Sequence, residues 1–354
     1  MFDKGKQVKR QMTPRERVLA SIRRQPVDRL PTDYWGVPEI TQKLFAHTGA
    51  RDMPGLAKAL DMDKIMSVDA RLVAERRNMW DIPMKRVPLP GGYGTYDEPL
   101  FHPIGHCGTI AEVEACYAFP TTDMFDYSGI AEECRRFSGY AIEGGYISLT
   151  YFYEIIRGTE NMCMDMVAEP ELCAFIFERI QDFACAHARK ILEAADGMID
   201  ITQVTDDFGT QSGLMFSPEM TERYLGAYYR KNIAMAKSFG AHVFHHDDGA
   251  MVAMLPWLAG LGIEVLNPLQ WHLPGWDLAE LKRTYGGRLC FHGGVDNQWI
   301  LPFGTEEDVR NEVRACAEAL FADRTGFIVA PCHNAQAMTP VQNLLALYDE
   351  AGKI

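Results

Sequence analysis

The 354-residue sequence has a net charge of −13 and 47% hydrophobic residues, a composition that is sufficient for a sizeable core. The negative charge argues against the clustered basic surface that nucleic-acid phosphates need, and it suits small or carrier-bound substrates. The nine cysteines are scattered and odd in number, without a CxxC pair, which is typical of a reducing cytosol. With no signal peptide and no apolar run of about 18 residues, we expect a cytoplasmic protein without a membrane span.

The N-terminal part predicts a flexible arm followed by a helical extension. Residues 1–11 are basic and loose, and Thr13-Pro-Arg-Glu16 has the capping residues of a helix start. Leu30–Trp35 reads as a first strand, residues 39–61 as helices, and Lys64–Val73 as a second strand.

An irregular region follows from residue 74 to residue 108. Its turn-forming stretch, residues 88–96, predicts a hairpin excursion rather than a linker. Residues 123–138 are expected to be helical, Ala141–Ser148 a third strand, and Tyr151–Ala195 a long helical zone.

The remaining sequence alternates regularly between strands and helices, with Ser217 and Thr305 as helix caps. The five later strands are expected at Met198–Val204, Ala241–His245, Ile263–Leu266, Arg288–Phe291 and Phe327–Ala330. Eight strands separated mainly by helices predict a single α/β domain over residues 1–354, a (β/α)8 TIM-type barrel. An open doubly wound sheet would usually carry a GxGxxG loop, which the sequence lacks.

Four consecutive ionisable residues, numbers 245 to 248, follow the strand that begins at Ala241. Within them, His246 and Asp248 are two residues apart, so an extended chain points both side chains to the same side. In a parallel barrel this end of the strand carries the chemistry. The pair therefore indicates a metal or acid–base site, with polar residues at a loop start as the structural alternative.

Cys332 and His333 end the last predicted strand in the same way. A buried apolar cysteine is the ordinary interpretation, but the flanking Pro331 and Asn334 place it at a strand edge. Imidazole from His246 and thiolate from Cys332, with an added oxygen from Asp248, would form part of a zinc site.

Asp206 and Asp207 follow the fourth strand as candidate catalytic acid–base groups, together with His246. The alternative is a helix cap or a pair of solvated loop carboxylates. Glu154 and Arg157 lie three apart on a helix, which is typical of a surface ion pair. The candidates for substrate binding are Trp35, Asp69, Gln270, His292, Asp296 and His333.

The sequence resembles the uroporphyrinogen decarboxylase-like superfamily, which includes cobamide-dependent methyltransferases. The matching stretches, which extend over nearly the whole length, are Thr13-Pro-Arg-Glu-Arg-Val-Leu, Arg157-Gly158-Thr-Glu160, Asp206-Asp207-Phe-Gly-Thr-Gln211, Ser217-Pro-Glu219, His246-x-Asp248-Gly249, Asn267-Pro-Leu-Gln270, Gly293-Gly-Val-Asp296 and Ala330-Pro-Cys-His-Asn334. The resemblance implies a single (β/α)8 barrel with its site at the C-terminal face.

Two departures from the superfamily's sequence patterns bear on which of its branches this sequence resembles. Genuine uroporphyrinogen decarboxylases carry an arginine-rich segment near the first strand, whereas residues 31–36 contain no arginine here. The methyltransferase branch holds zinc with H-x-C and a distant Cys. His246 and Cys332 match those positions, but Asp248 replaces the first Cys, and a harder oxygen ligand leaves the metal more Lewis acidic.

The resemblance implies a zinc-dependent methyltransferase or demethylase acting on an O-, N- or S-methyl substrate, with a corrinoid carried by a separate protein. The alternative is a metal-free decarboxylase of a small carboxylic acid, in which Asp207 and His246 protonate a carbanion-like centre. A barrel recruited for binding or assembly is the third hypothesis, although it would need no row of titratable groups. A homodimer stays open as an assembly.

Overall fold

A computed structural model describes residues 11–88 and 94–354. Its main sheet has seven parallel strands in the order β1-β6-β7-β8-β9-β10-β11, and two antiparallel pairs, β2–β5 and β3–β4, accompany it. The strands are β1 (Met66–Ser67), β2 (Arg71–Leu72), β3 (Met84–Pro88), β4 (Thr95–Pro99), β5 (Phe125–Asp126), β6 (Ile142–Glu143), β7 (Ile201–Gln203), β8 (His242–His246), β9 (Val265–Asn267), β10 (Cys290–Val295) and β11 (Phe327–Pro331).

The eighth strand position of the barrel, beside β11, is occupied by the segment that the sequence predicts as the first strand. Its pairing with β11 is short: the Val329 N–H donates to the Pro31 carbonyl at 2.9 Å, and the Asp33 N–H donates to the Val329 carbonyl at 3.0 Å. Each of the eight predicted strands thus has a counterpart in the sheet or beside it, and the expected α/β barrel architecture is confirmed.

Side chains join this first predicted strand to the residues before β1. The Thr32 N–H donates to Oδ2 of Asp63 at 3.0 Å, and the Ile65 N–H donates to Oδ1 of Asp33 at 2.9 Å. We call these four residues the carboxylate seam. Both carboxylates are fully buried, so they satisfy backbone donors that a regular ladder would otherwise bond.

The described helices surround the sheet and form the N-terminal extension. They are α1 (Pro14–Ile22), α2 (Pro38–Thr48), α3 (Met53–Leu60), α4 (Ile110–Cys116), α5 (Ile130–Arg136), α6 (Thr150–Arg157), α7 (Thr159–Ala168), α8 (Pro170–Ala194), α9 (Pro218–Ser238), α10 (Leu255–Leu261), α11 (Leu278–Tyr285), α12 (Ile300–Phe303), α13 (Glu306–Leu320) and α14 (Val341–Ala351). The expected caps are present at Thr13, Ser217 and Thr305. In the described part of the chain, no helix is long and apolar enough to cross a membrane.

Helix α1 closes the N-terminal end of the barrel. Val18, Leu19 and Ile22 pack against buried strand residues that include Phe244 and Ile328. Burying each such side chain is worth about 1.5–3 kcal/mol, so this plug contributes substantially to stability. Because one end is filled with apolar side chains, the chemistry is confined to the opposite end, which we call the mouth.

The hairpin excursion is confirmed by the antiparallel pair β3–β4, although the centre of its turn, residues 89–93, lies outside the described residues. After the turn, the hairpin returns to the barrel at Gly94, where an added Cβ would lie 3.3 Å from Cβ of Ala337. The excursion therefore reaches the loop that follows β11 at the mouth.

The structure differs from two of the expected elements, and a third lies almost entirely outside the described residues. The helix expected over residues 123–138 is wrong in its first part, because Phe125 and Asp126 form β5 against β2, and only Ile130–Arg136 is helical. The long second strand divides into β1 and β2, which belong to different sheets. The arm of residues 1–11 lies outside the described residues except for Gln11, whose N–H donates to Asp28.

Candidate metal and active site

Three side chains at the mouth form a group with the spacing of metal ligands. His246 ends β8, Asp248 follows it, and His333 follows β11; their ligand atoms lie within 4.8 Å of one another. Oδ2 of Asp248 is 3.7 Å from Nε2 of His246 and 3.6 Å from Nε2 of His333. Tetrahedral zinc with bonds of about 2.0–2.1 Å would need separations of roughly 3.4 Å, so small adjustments of these side chains would suffice.

A chain of hydrogen bonds fixes the orientation of His246. Its Nδ1–H donates to Oδ1 of Asn267 at 2.5 Å, and the Asn267 amide donates to Nδ1 of His292 at 2.7 Å. Nε2–H of His292 then donates to Oδ2 of Asp33 at 3.1 Å, and Lys64 Nζ donates to the other oxygen of Asp33. The chain leaves Nε2 of His246 as an acceptor facing the group, the form that a metal ligand or a general base requires.

His333 and Asp248 are less completely fixed. Nδ1 of His333 accepts the Asn334 N–H at 2.7 Å, so the neutral ring carries its proton on Nε2, toward Asp248. Burial lowers the pKa of His333 and raises that of Asp248. Among the described residues, Oδ1 of Asp248 is buried without a hydrogen-bond partner, as expected for a carboxylate aimed at a ligand.

Trp35 forms a wall between this group and a cavity of about 250 Å³. Its ring centroid lies 5.4 Å from that of His246 and 6.4 Å from that of His333. The cavity is also lined by Glu143 and by Lys64, whose ammonium pairs with Asp33. Burial raises the pKa of Glu143, and the cavity combines the Trp35 ring with polar side chains.

The two carboxylates predicted after β7 have different environments. Asp207 is half exposed, its Oδ1 accepts the Asp248 N–H at 2.9 Å, and the same oxygen lies 4.0 Å from Nε2 of His246. Asp206 is buried: one oxygen accepts from Ser148, Leu149 and Thr150 at the start of α6, and the other accepts the Tyr229 hydroxyl. Asp207 therefore belongs to the mouth, whereas both oxygens of Asp206 are occupied at the start of α6 and by Tyr229, which corresponds to the helix-cap alternative.

Cys332 does not join the group at the mouth. Its thiol donates to the Leu269 carbonyl at 3.1 Å, the residue is buried, and burial raises the pKa of the thiol well above its usual value. The structure thus groups His246 and Asp248 with His333, and the predicted third ligand, Cys332, lies outside that group. The reason is that successive residues at a strand end face opposite sides.

The other expected substrate residues differ in position. Gln270 accepts the Gly249 N–H and ties the loop after β9 to the loop after β8. Asp296 accepts three backbone N–H groups at residues 298–300, including that of Ile300 at the start of α12, and is occupied as a cap. Asp69 is exposed and lies 3.5 Å from Nε2 of His187, on α8, so the structure does not bring it to the group. Trp35 lies beside the group and His333 belongs to it, whereas His292 is buried and reaches His246 only through Asn267.

Two of the four consecutive ionisable residues face inward. His245 and Asp247 are fully buried, and Nε2 of His245 is 3.6 Å from Oδ2 of Asp247. Burial raises the pKa of Asp247 well above its usual value and lowers the pKa of His245 to about 4. His245 is therefore neutral at pH 7, and both side chains are buried beside each other. Asp247 also accepts the Phe208 and Gly209 N–H groups, which ties the loop after β7 to β8.

Glu154 lies close enough to Asp207 for that charge to raise its pKa, and it does not form the expected surface pair with Arg157. Arg157 is buried and pairs with Asp165. Glu154 lies one turn into α6, where burial, with smaller contributions from the charges of Asp207 and Asp206, raises the pKa of its carboxyl to about 7. A carboxyl with this pKa can hold or release a proton at neutral pH.

The family model described as Uroporphyrinogen decarboxylase (URO-D) matches residues 147–354 of the chain. The chain belongs to the uroporphyrinogen decarboxylase family. It matches none of the curated proteins at a significant level.

Solved structures resemble this family member over nearly their whole length. A methyltransferase from Methanosarcina mazei superposes with a TM-score of 0.68 at 18% identity, covering 96% of this chain and 98% of the other. A B12-independent methionine synthase from Shewanella sp. W3-18-1, in complex with selenomethionine, superposes with a TM-score of 0.52 at 14% identity, covering 92% and 97%. At these identities the likeness establishes the fold.

Sequence reasoning missed two residues of the site in this family member. Asn267 was noticed only as part of a matching stretch, although it joins His246 to His292. Its position at the end of β9, level with His246 on β8, was the available signal. Glu154 was missed because helical spacing alone does not show which face of α6 meets the barrel.

Replacing Asn267 by alanine is expected to weaken binding of a metal at this group about 10–100-fold, because residues that hydrogen-bond to metal-bound histidines typically contribute that much. The substitution leaves Nδ1 of both His246 and His292 without its partner. Zinc competition with a chelator measures the effect, and Asn311→Ala, on α13, is the control. Unchanged zinc affinity in the Asn267 variant would show that the hydrogen-bond chain does not orient His246.

Proposed function

We propose that this family member is a zinc-dependent methyltransferase or demethylase that acts on an O-, N- or S-methyl substrate. We further propose that a corrinoid on a separate protein is the other methyl carrier. The observation that supports the proposal is the group of His246, Asp248 and His333 at the mouth, with Nδ1 of His246 bonded to Asn267 and Nε2 directed into the group. Three protein ligands with an open fourth position are the arrangement of catalytic zinc sites.

The donor set suits zinc. Two imidazoles and one carboxylate supply borderline nitrogen and oxygen ligands, and Oδ1 of Asp248 has no other partner among the described residues. His246 and Asp248 are the main ligands, since binding through His333 would displace its Nε2 proton and its bond from Asn334. When bound, zinc would supply a Lewis acid that polarises the heteroatom carrying the methyl group.

The residues around the group have separable roles. Trp35 and the cavity beside it would bind the apolar part of a small substrate and exclude water. Asp207 holds the loop after β8 in place through the Asp248 N–H. Glu154 would give its carboxyl proton to the heteroatom that loses the methyl group, because its pKa of about 7 keeps that proton available at neutral pH.

The decarboxylase alternative has weaker support at this mouth. A carboxylate substrate would need a free cation, and Lys64, which lines the cavity, is already paired with Asp33. The segment that carries arginines in genuine uroporphyrinogen decarboxylases contributes Asp33 and Trp35 here instead.

Methyl transfer can be tested with free cob(I)alamin in place of the carried corrinoid. Purified protein with and without zinc is incubated with methyl thioethers, methoxyarenes and methylamines, and methylcobalamin is followed by its absorbance. Zinc-dependent methylation of cobalamin is the expected result. Release of CO2 from small carboxylic acids by metal-free protein, with no methylation of cobalamin, would replace the proposal by the lyase.

The pH dependence of stability tests the environment of Glu154. Because the folded-state pKa is raised from 4.5 to about 7, folding binds a proton, and the contribution of this group becomes less favourable as pH rises from about 4.5 to about 7. Glu154→Gln, which is always neutral, should therefore gain about 1–3 kcal/mol of unfolding free energy relative to the native protein between pH 5 and pH 8. Glu160→Gln, on α7, is the control. Parallel stability curves for the native protein and the Glu154 variant would contradict the raised pKa.

A further inference from the structure

A second group of metal-binding side chains lies outside the barrel mouth. His106, Cys107 and Cys116 place their ligand atoms within 4.8 Å of one another. The two sulfurs are 3.3 Å apart, and Sγ of Cys107 is 3.9 Å from Nε2 of His106. Neither thiol is in a disulfide. From this geometry, we propose that His106, Cys107 and Cys116 bind one Zn²⁺ ion, separate from the group at His246.

The distances match a tetrahedral thiolate site. With Zn–S bonds of about 2.3 Å and Zn–N bonds of about 2.0–2.1 Å, two sulfurs would be roughly 3.8 Å apart and a sulfur and a nitrogen roughly 3.6 Å apart. The observed separations differ from these values by about half an ångström or less. Two thiolates and an imidazole are soft and borderline ligands, which select zinc over magnesium or calcium.

The local sequence brings the three residues together. His106 and Cys107 end a turn that precedes α4, and Cys116 is the last residue of α4. A capping box at Thr109 and Glu112 begins the helix directly after the turn, so the helix length determines where Cys116 meets Cys107. His106 and Cys116 are exposed, which leaves water access to the fourth position.

When Zn²⁺ binds, two thiol protons are released in exchange for the one cation. Cys107 and Cys116 each release a proton, the neutral imidazole of His106 supplies its lone pair, and a water completes the coordination. No oxidant or reductant takes part. Because both thiols must lose protons, affinity for zinc should fall as pH decreases.

The site would fix a turn against the helix that carries Glu154. The Arg157 side chain, at the end of α6, donates to the carbonyls of Ile104 and Cys107. The Asn161 amide, on α7, donates to the Gly105 carbonyl at 3.0 Å. Zinc at Cys107 and Cys116 would thus connect α4 to the junction of α6 and α7, with a water in the fourth position.

Cobalt substitution distinguishes this site from the mouth, because thiolate ligands give Co²⁺ a near-ultraviolet charge-transfer band that imidazole and carboxylate ligands do not. The protein is kept reduced, stripped of metal with a chelator and titrated with Co²⁺. The band is expected in the native protein and in Cys332→Ser, and it should be absent from Cys107→Ser/Cys116→Ser. Absence of the band from the native protein overturns the proposal. A band that Cys332→Ser removes and the double variant retains also overturns it.

His106→Ala covers the case in which the double variant fails to fold. It keeps both thiols, and it should retain the band while releasing Zn²⁺ to a competing chelator at least about 10-fold more readily than the native protein. His102→Ala, at a neighbouring exposed imidazole that contacts the Ile155 carbonyl, is the matched control. Equal zinc retention by His106→Ala and the native protein would overturn the assignment of His106.

Discussion

Replacing Asp206 by alanine is expected to lower the free energy of unfolding by about 3–5 kcal/mol, because it removes a buried carboxylate and leaves several donors unpaired. These donors are backbone and hydroxyl groups of residues 148–150, together with the Tyr229 hydroxyl. Urea unfolding followed by circular dichroism measures the change.

The neighbouring carboxylate is a matched control. Asp207 is half exposed and accepts one backbone N–H, so Asp207→Ala should change stability by less than about 1 kcal/mol. Asp206→Asn should fall between the two, because its amide keeps one acceptor oxygen. Equal destabilisation by Asp206→Ala and Asp207→Ala would contradict the capping role and return Asp206 to the list of catalytic candidates.

Replacing His246 by alanine is expected to remove one equivalent of zinc from the purified protein and to lower affinity at the mouth by more than about 100-fold. A direct ligand should contribute at least as much as the residues that hydrogen-bond to metal-bound histidines, whose loss costs about 10–100-fold. Metal analysis after dialysis, with zinc competition by a chelator, measures both. His47→Ala, on the exposed face of α2, is the control for an imidazole outside the site.

Two further variants separate the ligand sets. Asp248→Asn should lose zinc nearly as completely as His246→Ala, because the carboxylate lies between the two imidazoles. Cys332→Ser should keep it, since the thiol contacts the Leu269 carbonyl instead. Loss of zinc from the mouth in Cys332→Ser would restore the thiolate ligand that the sequence suggested.

The barrel was predictable because its signals are local. Short β-type runs that end in polar residues, with capped helices between them, gave all eight strand positions. The first predicted strand was clear in the sequence. In the structure, the segment around Thr32 makes only a short pairing with β11. The helix expected around Phe125 failed because that ring packs against Phe183 and His187, a tertiary contact that helical periodicity does not reveal.

The site was predictable only to within one residue at two strand ends. Asp206 and Asp207 are adjacent after the same strand, so the sequence does not show which carboxylate faces the mouth. That depends on contacts of Asp206 with the start of α6, about sixty positions earlier. At β11 the analogous choice between Cys332 and His333 depends on the Leu269 carbonyl in the neighbouring loop. Such long-range partners determine which side chain faces the mouth, and spacing along the chain does not encode them.

The carboxylate seam has a consequence for how the protein would respond to acid. Burial opposes ionisation of Asp33, but Lys64 and His292 outweigh it and hold the pKa of Asp33 well below its usual value. A carboxyl group with a depressed pKa stabilises the fold until the pH falls below the usual range for aspartate. In mild acid, Asp33 therefore keeps its hydrogen bond in the carboxylate seam. The imidazoles of metal sites gain protons at much higher pH than that. Acidification should therefore release a metal bound at the mouth before Asp33 is protonated, so that metal loss and loss of this part of the closure would be separate events.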